Sequence, residues 1–168
     1  VERYQLEPPV NIESLLEDVA DVHELDWSHE VDGMVTDLSR RPRVFLRRNQ
    51  PKNRKRFTSA HEYGHIRIPW HTESIACQID AGPHSSNPLR EKEANDFASH
   101  LLIPRKFLRK VIAASSQVEG WLSDLDRCET SAHASLIALC EQLPRGYLFA
   151  IEGAENPPDI VHPSGMSF

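Results

Sequence analysis

The sequence is poor in cysteine: its 168 residues include three, Cys77, Cys128 and Cys140. Three cysteines cannot all pair with one another, and their spacing matches no CxxC metal or redox motif. A disulfide scaffold is therefore excluded, small buried core residues are the expected role, and a reducing cytosol is the expected setting. No apolar run approaches the roughly 18–20 residues that span a bilayer, so no membrane partner is expected. The first residues, Val1–Gln5, carry no signal-peptide-like apolar segment. The chain begins at Val1 rather than at a methionine, which leaves room for a segment upstream. Internal repeats and low-complexity stretches are missing too, which removes solenoids and arrays. What remains is a length suited to one domain with its own core.

Charge of one sign is missing from two long stretches. The net charge is −6. Residues 1–39 hold eleven acids and a single base, Arg3, whereas residues 40–56 hold nine bases and no acid. The overall acidity argues against a generic nucleic-acid coat. The basic run has two readings. It is a solvated strand edge whose arginines guard against aggregation, or an electropositive rim, with Arg47 and Arg48 as its candidates, that recruits an acidic substrate segment or DNA phosphates.

Periodicity predicts a helix over 11–25, where Ile12, Leu15, Leu16 and Val19 share a face and Asn11 is the N-cap. Strands are expected at 33–38 and 43–47, the second with Val44 and Leu46 on one face. A helix follows from about Pro51 to Ile68 and stops at Pro69. Residues 69–87 read as a loop with a short strand near 74–79. Further helices are expected at 88–102, 105–114, 117–127 and 131–142, then a strand at 147–151 and a loose tail over 152–168. The pattern is α+β, mostly helical with a small sheet. One domain is expected over 1–151, with its metal core at about 40–104. The helix at 131–140 has no Lys or Arg to meet phosphates, so the last helix pair is read as packing helices and not as a DNA reader.

The chemistry is concentrated in His61-Glu62-Tyr63-Gly64-His65. Two histidines at i and i+4 of a helix project from one face, about one turn apart, where a single Zn²⁺ accepts both. Glu62 is offset by about 100° and reaches a water beside the metal without binding the metal itself. A metal acidifies such a water and a carboxylate takes its proton during attack on a carbonyl. Phe57, Ala60, Gly64 and Ile68 form an apolar stripe beside the pair, so the histidines lean inward. Gly64 costs about 1 kcal/mol in a helix and suggests the close approach of another backbone.

A catalytic zinc needs a third protein ligand. The pattern HExxHxxGxxH is half met: His71 holds the last position, but Ile68 replaces the glycine that lets the chain turn back. The helix at 88–102 supplies the other completion. Its stripe is Ala94, Phe97, Ala98, Leu101 and Leu102, and Glu91 lies about 60° from the centre, with Glu93 at about 100° and Asp96 on the far side. Glu91 is thus the expected third ligand, with His71 the runner-up. Asn95, one turn beyond, is a candidate to orient a ligand histidine. His71 and His84 are open candidates for stabilising an oxyanion.

The segments Arg56–His65 and Glu91–Pro104 resemble, in order and spacing, the two signatures of the ImmA/IrrE family of bacterial metallopeptidases, over about residues 10–151. The resemblance implies a minimal gluzincin-like zinc peptidase with His61, His65 and Glu91 as ligands and Glu62 as base. It implies helix-turn-helix repressors as substrates, in stress, mobile-element or toxin–antitoxin-like systems, with Mn²⁺ as a possible alternative ion. Tyr63 departs from the family's usual aliphatic residue, and Asn95 stands where thermolysin-like relatives have Asp. Two other function classes stay open. One is a regulatory module that sequesters a repressor or antitoxin without cutting it. The other is a DNA-binding protein using the basic run, for which the acidic remainder leaves at most weak or indirect DNA contact. The oligomeric state is not legible in the sequence.

Overall fold

A computed structural model describes residues 7–27, 31–72, 75–77, 87–143, 149–151 and 159–161. It begins with a short helix, α1 (Ile12–Glu17), followed by strands β1 (Asp21–Leu25), β2 (Gly33–Thr36) and β3 (Arg43–Arg47). Helix α2 (Lys52–Arg67) leads through β4 (Ile75–Cys77) to α3 (Pro88–Leu102), α4 (Arg105–Ala114), α5 (Val118–Leu125) and α6 (Ala132–Gln142). Strands β5 (Phe149–Ile151) and β6 (Asp159–Val161) form a separate antiparallel ribbon. The class is α+β, as the segment pattern requires.

Two expectations are corrected. The helix read over 11–25 ends at Glu17, and Asp21–Leu25 instead pairs in parallel with β3. Asn11 caps the helix as expected, its Oδ1 accepting from the Ser14 N–H at 3.0 Å. Arg41 closes the other end: its guanidinium donates to the carbonyls of Glu17 and Ala20 and pairs with Asp21 at 2.7 Å. These contacts satisfy carbonyls that an extended helix would have used. The tail read as loose contains β6, which pairs with β5 from Phe149↔Val161 to Ile151↔Asp159. At three residues β6 is too short for an alternation to be read in the sequence.

The main sheet runs β1-β3-β2-β4, with β2 antiparallel to both β3 and β4. Its buried face carries Val35, Val44 and Leu46, packed with Leu16 and Ala20 of the α1 region. A larger core joins Ala60 of α2 to Ala98, Leu101, Leu102, Leu108, Trp121, Leu125 and Leu139. Helix α2 stands between these two cores, and Tyr63 touches both. It is therefore buried over most of its circumference, although Thr58, Ser59, His61, Glu62 and His65 are polar. Burying that many polar groups opposes folding unless they are satisfied, so the α2 interior is where function is to be sought.

The charge segregation of the sequence resolves into intramolecular pairs. Among the nine bases of residues 40–56, eight have a carboxylate partner: Arg41–Asp21, Arg43–Asp37, Arg47–Asp32, Arg48–Asp26, Lys52–Glu129, Arg54–Asp32, Lys55–Glu24, and Arg56 with Glu13 and Glu129. Six of these acids come from residues 1–39. The parallel β1–β3 pairing lays the acidic and basic stretches side by side. Asp32 is buried, with Arg47 at 2.5 Å and Arg54 at 2.6 Å on its two oxygens.

Candidate metal centre

Helices α2 and α3 pack tightly because small residues face each other. A Cβ added to Gly64 would lie 3.2 Å from Cδ1 of Phe97 and 3.4 Å from Cα of Ala94. Glycine on one helix and alanine on the other let the two axes approach. Asn87 caps α3, accepting from the Arg90 N–H at 3.3 Å, and Pro88 occupies the first turn, where its missing N–H costs nothing. The start of α3 is thereby placed beside the C-terminal half of α2, and Glu91 faces the two histidines.

Nε2 of His61 lies 3.0 Å from Nε2 of His65 and 3.1 Å from Oε2 of Glu91, and Nε2 of His65 lies 3.7 Å from Oε1 of Glu91. Both histidines are fully buried and the Glu91 side chain is 14% exposed. Among the described residues, these three form a group whose potential ligand atoms all lie within 4.8 Å of one another. A tetrahedral zinc with bonds near 2.0–2.2 Å requires ligand atoms roughly 3.3 Å apart, and the observed separations bracket that value. Two imidazoles and one carboxylate also suit a borderline divalent cation. The three residues can thus hold a metal.

The two histidines respond to this surrounding in opposite directions. Burial opposes protonation of His61, but its hydrogen bond to Glu91 and the charges of Glu62 and Glu91 outweigh burial and raise its pKa above the ordinary value. His65 is pushed down to about 2, first by burial and then by the neighbouring His61, His71 and Arg90. It is neutral, as a metal ligand must be.

Each far ring nitrogen also has a partner. Nδ1 of His61 lies 2.8 Å from Oδ1 of Asn95, and Nδ1 of His65 lies 2.8 Å from Nδ1 of His71. Asn95 thus sits against His61, one of the two histidines it was a candidate to orient. His71 is placed otherwise. Proline at 69 ends α2, a turn closed by the His71 N–H to the Ile68 carbonyl at 3.0 Å folds the chain back, and the ring lands behind His65. It contacts the nitrogen facing away from Glu91, which is neither a ligand position nor an oxyanion position. Glu93 sits beside His71, not with Glu91. His84 lies outside the described residues.

Glu62 is fully buried next to the cluster, with its carboxylate against Gly33 of β2, which Thr58 one turn earlier on α2 also approaches. Arg47 and Arg48 are occupied by Asp32 and Asp26. A cavity of about 850 Å³ is lined by Asn95 but by neither the three clustered residues nor Glu62, and runs along α2, α3 and α6 past Phe57, Ile103, Leu108 and Ile137. The backing of His65 and the contact of Gly33 with Glu62 were not anticipated. The first is made by the turn after α2, and the HExxHxxGxxH spacing marked His71 only as a ligand candidate; the second joins separate elements that no spacing rule relates.

The helix pair α5 and α6 contributes Trp121, Leu125, Leu136 and Leu139 to the core, as packing helices do. Cys128 and Cys140 are buried free thiols, and burial pushes the Cys128 thiol up to about 12, far from a reactive range. No helix among the described residues is long and apolar enough to cross a membrane.

The family model of the IrrE N-terminal-like domain, Peptidase_M78, matches residues 17–143. That span contains α2, α3, and every residue of the centre. No curated protein matches the chain.

Proposed function

From the premise that this chain belongs to the Peptidase_M78 (IrrE N-terminal-like) family of metallopeptidases, we propose that it is a zinc-dependent endopeptidase acting on one specific protein partner. The partner we propose is a helix-turn-helix transcriptional repressor in a stress, mobile-element or toxin–antitoxin-like system. The observation that carries the reading is the convergence of His61, His65 and Glu91 within 4.8 Å, with the carboxylate of Glu62 buried alongside. A gap of this size between two imidazoles and a carboxylate suits a divalent ion, zinc in this proposal and manganese as the alternative.

His61, His65 and Glu91 would hold the ion. When bound, it supplies polarisation of a substrate carbonyl and acidification of a water. Glu62 accepts the proton of the attacking water and delivers it to the departing amine. Its helix fixes it one residue from His61, so it faces the reaction without displacing a ligand. Asn95 orients His61 through Nδ1. The buried free thiols are in keeping with a reducing, cytoplasmic setting.

The test is to incubate the zinc-loaded protein with candidate helix-turn-helix regulators, beginning with any encoded beside it, and look for a single specific cut. Cleavage by the wild type and none by Glu62→Gln is the expected result. Tight binding without any cut by the wild type would replace the enzyme with a sequestering module.

A further inference from the structure

His71 is the second link of a hydrogen-bonded chain running from the centre to the surface. Its side chain is fully buried, so its two ring nitrogens must be satisfied by the protein. Nδ1 faces Nδ1 of His65 at 2.8 Å, and Nε2 faces Oε2 of Glu93 at 2.9 Å. The Trp70 indole N–H donates to the same oxygen at 2.8 Å.

Hydrogen-bond chemistry gives this chain a direction. The Glu93 side chain is 31% exposed, and an ionised carboxylate only accepts. The His71 nitrogen facing it therefore carries a proton. In a neutral imidazole the other nitrogen is then a lone pair, so Nδ1 of His71 accepts and Nδ1 of His65 donates. That leaves the lone pair of His65 on Nε2, the atom facing His61 and Glu91. A reversed chain would put the proton of His65 on Nε2, and no metal could bind there.

We propose that His71, backed by Glu93 and Trp70, is a positioning residue that holds His65 in its Nδ1–H tautomer and aims the Nε2 lone pair into the metal centre. The proposal rests on the reading of His65 as a ligand. It makes the two histidines unequal in their support: His61 is held directly by an amide, whereas His65 is held through a relay whose last member is at the surface. The turn at Pro69 exists in this light to return His71 to its neighbour six residues back.

The test has two readouts, neither of which is activity. Long-range ¹H–¹⁵N spectra of the metal-free protein report the tautomer of His65. The wild type is expected to show protonated Nδ1, and His71→Ala is expected to lose that single tautomer. Chelator competition measures zinc affinity, which should fall about 10–100-fold in His71→Ala, the usual effect of losing such a partner. His71→Asn places an acceptor oxygen near the original Nδ1 and should recover most of the affinity, which also guards against a simple folding defect. Wild-type affinity in His71→Ala, equal weakening in His71→Asn, or protonated Nε2 in the wild type would each overturn the proposal. A wild-type protein that binds no zinc would instead overturn the ligand assignment, while the tautomer measurement still stands.

Discussion

Gly33 of β2 lies against the carboxylate of Glu62 so closely that a Cβ added there would overlap Oε1 and stand 2.7 Å from Cγ2 of Thr58. The sheet and the metal helix thus meet at the proposed base. Strand β2 is held on both sides, by β3 and by β4, so the backbone at Gly33 has little room to retreat. The carboxylate, attached by two rotatable methylenes, is what would move.

Gly33→Ala is therefore expected to displace Glu62 and leave the ligands in place. Turnover should fall at least tenfold, since small misplacements of a reacting group have large effects. Zinc stoichiometry should remain at one. A variant with wild-type turnover would show that the carboxylate tolerates the shift.

Glu62→Gln keeps the shape of the side chain and removes its basicity. Loss of cleavage by a factor on the order of 10²–10⁴ is expected, with zinc still bound as measured by elemental analysis. Retained cleavage would assign the proton transfer to another group.

Glu91→Ala removes the one carboxylate in the cluster, and loss of stoichiometric zinc is expected. Glu93→Ala should keep the ion, because Glu93 faces His71 and not the cluster. The opposite pattern in metal analysis would mean that the third ligand has been misassigned.

Zinc affinity should depend on pH through a single proton. His65 stays neutral down to about 2, whereas the pKa of His61 is raised. Zinc must displace the His61 proton. Affinity is then flat above the raised pKa and falls about tenfold per unit as pH drops below it. A slope of two protons per ion by titration calorimetry in buffers of different ionisation heat would contradict this.

Asp32 joins two arginines in a buried position. Asp32→Ala leaves Arg47 and Arg54 without their shared carboxylate, and a loss of about 3 kcal/mol is expected, at the low end for a broken buried pair because both arginines are partly exposed. Arg48→Glu breaks an exposed pair with Asp26 and should change stability by about 1 kcal/mol or less. Denaturant unfolding measures both. If the salt dependence of substrate association changes markedly in Arg48→Glu, the basic run also serves recruitment.

Much of the centre was legible in the sequence because it rests on local periodicity. The i, i+4 histidines, the offset of Glu62 and the inward lean of Glu91 follow from about 100° per residue on two helices whose ends are marked by prolines and by Asn87. The expected limits of α3 and α4 coincide with the observed ones for that reason. The strand β1 was hidden because Ile12, Leu15, Leu16 and Val19 continue a helical pattern almost up to it, and the guanidinium that closes the helix end comes from Arg41, 24 residues beyond Glu17 and 21 beyond Ala20.

The sequence by itself determined the kind of chemistry, because metal-ligand spacing on a helix is a local property. It also determined that acid and base were segregated along the chain. Only the tertiary structure decided what that segregation does, since pairing β1 with β3 brings the two stretches together and consumes most of the charge internally. The close approach of α2 and α3 at Gly64 and Ala94 set the distance between Glu91 and the histidines. The chain reversal at Pro69 put His71 behind His65, and β2 put Gly33 against Glu62. These contacts join residues that no period relates, and they form only when the chain turns back at Pro69 or when separate elements pack against one another.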